Sequence, residues 1–391
     1  MARSSFIDLV SKYEKYRSQT LNLIPSENIL SPDVSTVLGS SMAGRYAGSP
    51  ESYGGTKLFH EIWKKSEALA ERVFSCKGAS VVPISGHVAG MIALDQLCRE
   101  GETIAVIPAD YGGYKGYNQN YIPDVLGLKV VHLPFNQSKY NIDTDKAAEM
   151  IRQKKPSAVI LGATVFLFPH PVKEISEAVH SYGGKVIYDG SHVLGLIAGK
   201  EFQRPLAEGA DLMLGSTHKT LFGPQGGVIL SDDESIMGRI EQSYLYRFID
   251  NFHLNRVAAF GVALEEIKLC GKEYARNVVQ NSKVLASELD SLGLPVAGKE
   301  ANFTRSHQVL LNYGDRGGFV RDTLETNSII VDSRVRLGTS EVTRKGMGTS
   351  KMKEIGELVS RGLKKRNDEV VKKAVLRLVT NYRRIKYTLR T

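Results

Sequence analysis

The residues Ser216-Thr217-His218-Lys219-Thr220 follow a short apolar run at 212–214 (LML) and precede Phe222-Gly223-Pro224-Gln225-Gly226-Gly227. A strand end facing a glycine-rich turn is a poor place for a solvated charge. Desolvation there disfavours the ammonium form, so the Lys219 amine is nucleophilic toward an aldehyde and suited to a Schiff base. Thirty positions earlier, Val186-Ile187-Tyr188 ends in Asp189 and continues through Gly190-Ser191-His192. A carboxylate in that position can accept the N–H of a pyridinium ring, keep it protonated and make the ring an electron sink. An aspartate after a strand, or a lysine near glycine, is common in isolation. The ordered combination of strand-Asp, strand-Ser-x-His-Lys and glycine-rich turn points to pyridoxal 5′-phosphate chemistry.

Groups so far apart in sequence need a sheet to collect them. Short β-branched runs occur at residues 79–83 (ASVVP), 103–107 (TIAVI), 129–133 (KVVHL), 158–161 (AVIL), 185–188 (KVIY), 212–214 (LML) and 227–230 (GVIL). Between them lie stretches such as 143–154 and 171–182, whose apolar residues recur every three to four positions, as in amphipathic helices. This alternation predicts an α/β layer with a large, mostly parallel sheet, whose strand ends collect ligand groups. Residues 21–55 are rich in Ser, Pro, Gly and Asn with little periodicity, and read as an ordered arm or loop. After Asn251 the pattern turns helical through 282–292. A smaller α/β portion with strands at 308–311 and 328–331 precedes the terminal helices. The expected organisation is an N-terminal arm (1–55), a large cofactor-binding domain (56–265) and a small C-terminal domain (266–391).

With 391 residues, 42% hydrophobic and 24% charged, the chain has the composition of a folded globular protein of two or three lobes. No run approaches the eighteen or so apolar residues of a membrane span, and the first twenty lack a signal-peptide core, so a cytoplasmic location is expected. Cys76, Cys98 and Cys270 are odd in number and widely spaced, and read as reduced packing residues. The net charge of +9 is a C-terminal property: from Arg344 onward there are fifteen Lys/Arg against four Asp/Glu, whereas residues 1–343 sum to −2. Ile355, Leu358, Val359 and Leu363, then Val371, Ala374, Val375 and Leu378, recur at helical spacing beneath those charges. The run therefore reads as a solvated helix face rather than a nucleic-acid footprint.

The stretches LIPSEN (23–28), VLGSSMAGRYAG (37–48), YGG (53–55), SG (85–86), DGSHVLGLIAG (189–199), STHKTLFGPQGG (216–227) and RLGTSEVTRKGM (336–347) resemble serine hydroxymethyltransferases in order over about residues 20–350. The resemblance implies an aspartate-aminotransferase-like fold (fold type I of the pyridoxal-phosphate enzymes). It implies Lys219 as the Schiff-base lysine, Asp189 at the pyridine nitrogen, His192 by the ring 3′-oxygen and His218 beside the lysine, with Ser216 also facing the cofactor. Ser85 and Gly86, opening a helix, would offer backbone N–H groups to the phosphate. His87 stands where the family has a small hydroxyl residue. Tyr114 stands where it has a ring-stacking His and keeps an aromatic face, and Thr164 stands in the place of a Ser facing the ring. Arg336 matches the arginine that grips the substrate α-carboxylate through paired hydrogen bonds, with Ser26 assisting. Tyr46 and Tyr53 match cofactor- and substrate-facing tyrosines, some of which cross a subunit boundary, which implies a homodimer with shared sites.

Three departures fall on the pterin side of the implied site. Gly48 replaces the family's hydroxyl-contacting Glu in a shortened loop, where Glu51 is the nearest candidate substitute. Gln225 replaces the Arg of GPRGG, and RFIDNFHLNR (247–256) stands where a glycine-rich phosphate-contacting segment is expected. The implied function is making or breaking the Cα–Cβ bond of β-hydroxy amino acids, serine or threonine to glycine plus an aldehyde or one-carbon unit. His87, His192 and Glu51 are candidate bases for the β-hydroxyl. The use of a reduced pterin (tetrahydrofolate or a methanopterin) is left open. The alternatives are a pterin-independent threonine-type aldolase and a pyridoxal-phosphate aminotransferase.

Overall fold

The computed structural model describes residues 4–46, 53–251 and 253–389. The chain divides into two compact units, one formed by Leu30–Ala275 with Tyr387–Thr391 and the other by Met1–Ile29 with Arg276–Lys386.

The larger unit is organised by a seven-stranded sheet. Its strands are β1 (Gly78–Ser80), β2 (Thr103–Val106), β3 (Lys129–His132), β4 (Ala158–Leu161), β5 (Lys185–Asp189), β6 (Leu212–Ser216) and β7 (Gly227–Ser231). Their spatial order is β1-β7-β6-β5-β4-β2-β3. All pairings among β3, β2, β4, β5 and β6 are parallel, and β7 runs antiparallel to both β6 and β1. Each of the seven apolar runs in the sequence supplies one of these strands. The central strands β4 to β7 are buried along almost their whole length, as expected for strands covered on both faces. Helices over Thr144–Lys154 and Val172–His180 occupy two of the amphipathic stretches, the first capped by the Asp143 side chain.

The smaller unit is held by a separate apolar core that includes Leu21, Leu23, Leu285, Leu289, Val309, Leu337, Ile355, Val359, Val371 and Val375. Helices Thr349–Lys364 and Glu369–Asn381 bury Ile355, Leu358, Val359, Val371, Val375 and Leu378, the apolar stripe beneath the basic C-terminal residues.

The division differs from the one expected along the sequence. Residues 1–55 do not form one arm: Leu21–Asn22 is a strand paired in parallel with Ile329–Ile330, which ties residues 1–29 to the smaller unit. The helix Pro32–Leu38 and the 3-10 turn Ser41–Gly44 then belong to the larger one. The other boundary falls at Ala275/Arg276, inside a 38-residue helix, α2 (Leu254–Ser291), which follows the helix α1 (Gly86–Leu97) in the labels used below. No proline or turn signal interrupts α2, so a break between elements could not be read there.

Ile187 lies at the middle of β5, 1% exposed and two residues before Asp189. Ile187→Ala should cost about 2–5 kcal/mol, because the close-packed sheet collapses only partly around the lost atoms. Denaturant unfolding checks this as a lower midpoint at unchanged slope.

Candidate active site

The carboxyl ends of β5 and β6 and the amino end of α1 meet at one cavity of about 220 Å³ in the larger unit. It is lined by Ser85, Gly86, His87, Tyr114, Ala163, Thr164, Asp189, Ser191, His192, Ser216, His218 and Lys219. Ten of these carry a role implied by the sequence. Asp189 ends β5, Ser216 ends β6, and Lys219 lies three residues beyond Ser216.

The Asp189 carboxylate is 8% exposed and held from two sides. The Tyr117 hydroxyl donates to its Oδ2 at 2.8 Å, and the Ser191 N–H donates to its Oδ1 at 2.9 Å. Burial first, and then the nearby Asp189 charge, push the Tyr117 phenol well above its usual range, so the tyrosine stays a neutral donor. The Ser191 hydroxyl accepts the Ser216 N–H at 3.0 Å. The Thr220 hydroxyl donates to the His192 carbonyl at 2.9 Å and accepts the Gly195 N–H at 3.0 Å. These bonds fix the loop after Asp189 against the segment that carries Lys219.

Ser85 is the N-cap of α1, its hydroxyl accepting the Val88 N–H at 3.1 Å. The first-turn N–H groups of such a helix attract anions. Gly86 lets this terminus approach β6 closely: a Cβ there would lie 2.4 Å from the Ser216 Oγ and 2.9 Å from the Ser216 nitrogen. Tyr114 packs edge-on against Tyr117 with ring centroids 5.3 Å apart, and its hydroxyl lies 2.9 Å from the His87 Nδ1. Burial, with a contribution from Asp189, raises the Tyr114 phenol as well. His218 is driven down to about 4 by burial and then by the Lys219 charge, so its imidazole is neutral at physiological pH.

The remaining sequence candidates lie elsewhere. Tyr46 and Tyr53 sit on the surface of the larger unit, each 46% exposed, with ring centroids 5.0 Å apart. The Tyr46 hydroxyl donates to Asp250 Oδ2 at 2.8 Å. Ser26 and Arg336 belong to the smaller unit. Arg336 is 6% exposed and oriented by Asp332, whose Oδ2 accepts from its Nε at 2.8 Å and its Nη2 at 2.7 Å. Glu51 and Gly48 lie outside the described residues. Sequence reasoning missed Tyr117 and Ser191. Ser191 sits inside the DGSH stretch already singled out and Tyr117 three residues beyond Tyr114, and only the fold shows them reaching Asp189.

These residues fit pyridoxal 5′-phosphate. A buried carboxylate with two donors suits a pyridinium N–H, the N–H groups of the capped α1 terminus that lines the cavity suit a phosphate, and Lys219 lines the same cavity. A site of this kind at the strand ends of a mostly parallel sheet defines a fold type I pyridoxal-phosphate enzyme. The chain belongs to the serine hydroxymethyltransferase family, whose model matches residues 2–359. It is similar to serine hydroxymethyltransferases of Methanopyrus kandleri, at 39% identity over 98% of this chain and 94% of that protein, and of Saccharolobus islandicus, at 37% over 95% and 91%. Among solved structures it is similar to L-threonine transaldolase from Pseudomonas fluorescens in its internal aldimine state. That match has a TM-score of 0.91 at 25% identity and covers 98% of this chain and 92% of the other.

Gly86→Ala should drive a methyl group into the Ser216 Oγ and backbone nitrogen, push the α1 terminus away from β6 and lower the affinity of the apoprotein for pyridoxal phosphate by at least tenfold, about 1.4 kcal/mol. Equilibrium dialysis checks the affinity, and an unchanged circular dichroism spectrum confirms that the fold is retained.

Proposed function

We propose that this protein makes or breaks the Cα–Cβ bond of β-hydroxy-α-amino acids such as serine or threonine, with glycine as the common product. The observation that carries this reading is the convergence of Lys219, Asp189 and the Ser85–Gly86 helix terminus on one cavity. It is joined by membership of the serine hydroxymethyltransferase family.

Bound pyridoxal phosphate supplies an electron sink for the carbon next to the substrate amine. The chain's residues do the rest. Lys219 brings the amine that holds the cofactor and yields its place to substrate. Asp189, fixed by Tyr117 and Ser191, holds the proton on the pyridine nitrogen. His218, driven down to about 4 by burial and then by Lys219, is uncharged at working pH and adds no second positive charge beside the lysine. Ser85 and Gly86 present N–H groups to the phosphate, and Ser216 and Thr164 flank the cofactor. Tyr114 offers an aromatic face, and His192 serves the 3′-oxygen. Arg336, oriented by Asp332, and Ser26 align the substrate carboxylate. A base at the β-hydroxyl completes the cleavage, and His87, His192 and Glu51 are the candidates.

The pterin-independent, aldolase-type form of this chemistry is favoured by Gly48 and Gln225, which remove two charged groups from the pterin side. The likeness to an L-threonine transaldolase supports action on a β-hydroxy amino acid.

A homodimer with shared sites accounts for the exposed apolar residues. The helix Ser5–Ser18 buries none of its residues and exposes Phe6, Ile7, Leu9, Val10 and Tyr13, while Tyr46, Tyr53 and Tyr246 are exposed on the larger unit. Exposed apolar side chains grouped along one helix in this way are a mark of interfaces. The reduced cytoplasm suits three free thiols, two of which, Cys76 and Cys98, are pushed up to about 12 mainly by burial. Among the described residues no helix is long and apolar enough to cross a membrane.

The deciding experiment offers serine, threonine and allo-threonine with and without tetrahydrofolate or a methanopterin and measures glycine. Glycine release that ignores pterin is the expected result. Strict pterin dependence would establish one-carbon transfer instead, and keto-acid formation without glycine would sink the aldol reading in favour of amino transfer. In Lys219→Ala, borohydride should no longer tether the cofactor to the protein, which mass spectrometry of the intact chain reads directly.

A further inference from the structure

Arg256 lies near the start of α2, is 5% exposed, and is absent from the lining of the cofactor cavity. Its Nη2 donates to the carbonyl oxygens of Val81 at 3.0 Å and Val82 at 2.8 Å. Those carbonyls belong to the segment between β1 and the Ser85 cap of α1. The other side of the guanidinium faces the glycine-rich turn, where a Cβ on Gly226 would lie 2.7 Å from its Nη1. That turn is closed on Thr217, whose N–H donates to the Gly226 carbonyl at 3.1 Å and whose hydroxyl donates to the Pro224 carbonyl at 2.6 Å. The Gly227 N–H also donates to the Pro83 carbonyl at 2.8 Å, and a Cβ on Gly227 would meet the Ser85 carbonyl at 2.3 Å. Arg256 is thus wedged between the strand end that leads to Ser85 and the turn that leads back to Lys219.

Burying a guanidinium is costly, and burial lowers this one to about 10, which leaves it cationic at neutral pH. Charge-assisted hydrogen bonds to two successive carbonyls offset that cost and fix their direction more firmly than neutral donors would. We infer that Arg256 is a positioning residue for the cofactor phosphate. It sets the course of residues 81–85, and therefore the aim of the α1 terminus, without touching the cofactor itself. The inference rests on the reading of Ser85–Gly86 as the phosphate seat.

The test uses apoprotein and two probes, pyridoxal 5′-phosphate and unphosphorylated pyridoxal, with affinities measured by equilibrium dialysis for wild type, Arg256→Gln and Arg256→Lys. Wild type should prefer the phosphorylated probe. Arg256→Gln should lose about tenfold of that preference, the equivalent of one hydrogen bond to a charged group, while its pyridoxal affinity stays within about twofold. Arg256→Lys keeps the charge on one compact nitrogen that cannot face both the carbonyls and Gly226, and should lose a smaller share of the same preference. If Arg256→Gln does not fold, the lysine variant decides by the same ratio. A wild type with no preference would remove the phosphate-seat reading itself. A preserved wild-type preference that neither variant changes, or a proportional loss of both probes, would overturn the role of Arg256 and leave it a structural residue only.

Discussion

A carboxylate taken out of water must be repaid with donors, and the site is arranged around how Asp189 is repaid. Two hydrogen bonds, from the Tyr117 hydroxyl and the Ser191 N–H, hold it at the end of β5. Both are uncharged donors, so hydrogen bonds rather than an ion pair with either partner hold this side chain in place. The Ser191 hydroxyl then accepts from Ser216 on the adjacent strand, so the same short loop sets the carboxylate and the start of the segment that carries Lys219.

The sheet makes this economy possible. Parallel strands β5 and β6 place Asp189 opposite Leu214, and both strands end on the side where α1 begins. Antiparallel β7 returns the chain beside β1, bringing the glycine-rich turn against the approach to Ser85. Lysine, aspartate and helix terminus therefore come from three separate parts of the sequence and are joined only by neighbouring strands. Helix α1 contributes a terminus with a side-chain cap and a glycine packed closely against Ser216, and the N–H groups of such a terminus favour anions without a basic side chain.

The departures from the family are uneven around the site. In the sequence, the positions that the resemblance assigns to cofactor and amino acid are retained, whereas Gly48 and Gln225 stand where it implies charged groups. Tyr114 and His87 stand where smaller or imidazole side chains are usual, and they contact each other through the Tyr114 hydroxyl.

The strands were legible because burial on both faces demands unbroken apolar runs, and all seven runs became strands of one sheet. Lys219 and Asp189 could be singled out because strand-end lysines and carboxylates with small neighbours are chemically distinctive, and the fold brings both to one cavity. Tyr117 was invisible beside Tyr114, since nothing in DYGGYKGY says which ring turns toward a carboxylate 72 positions away. Arg256 was equally invisible, because a charged residue opening an amphipathic helix reads as solvated until its neighbours bury it. The limits of the N-terminal arm also waited on the fold: a two-residue strand at Leu21–Asn22 has no local signal, and its partner lies at Ile329–Ile330. Periodicity and side-chain chemistry are local properties that a linear sequence carries in full. Which distant groups share a buried cavity depends on strand order and register, and only the folded chain decides that.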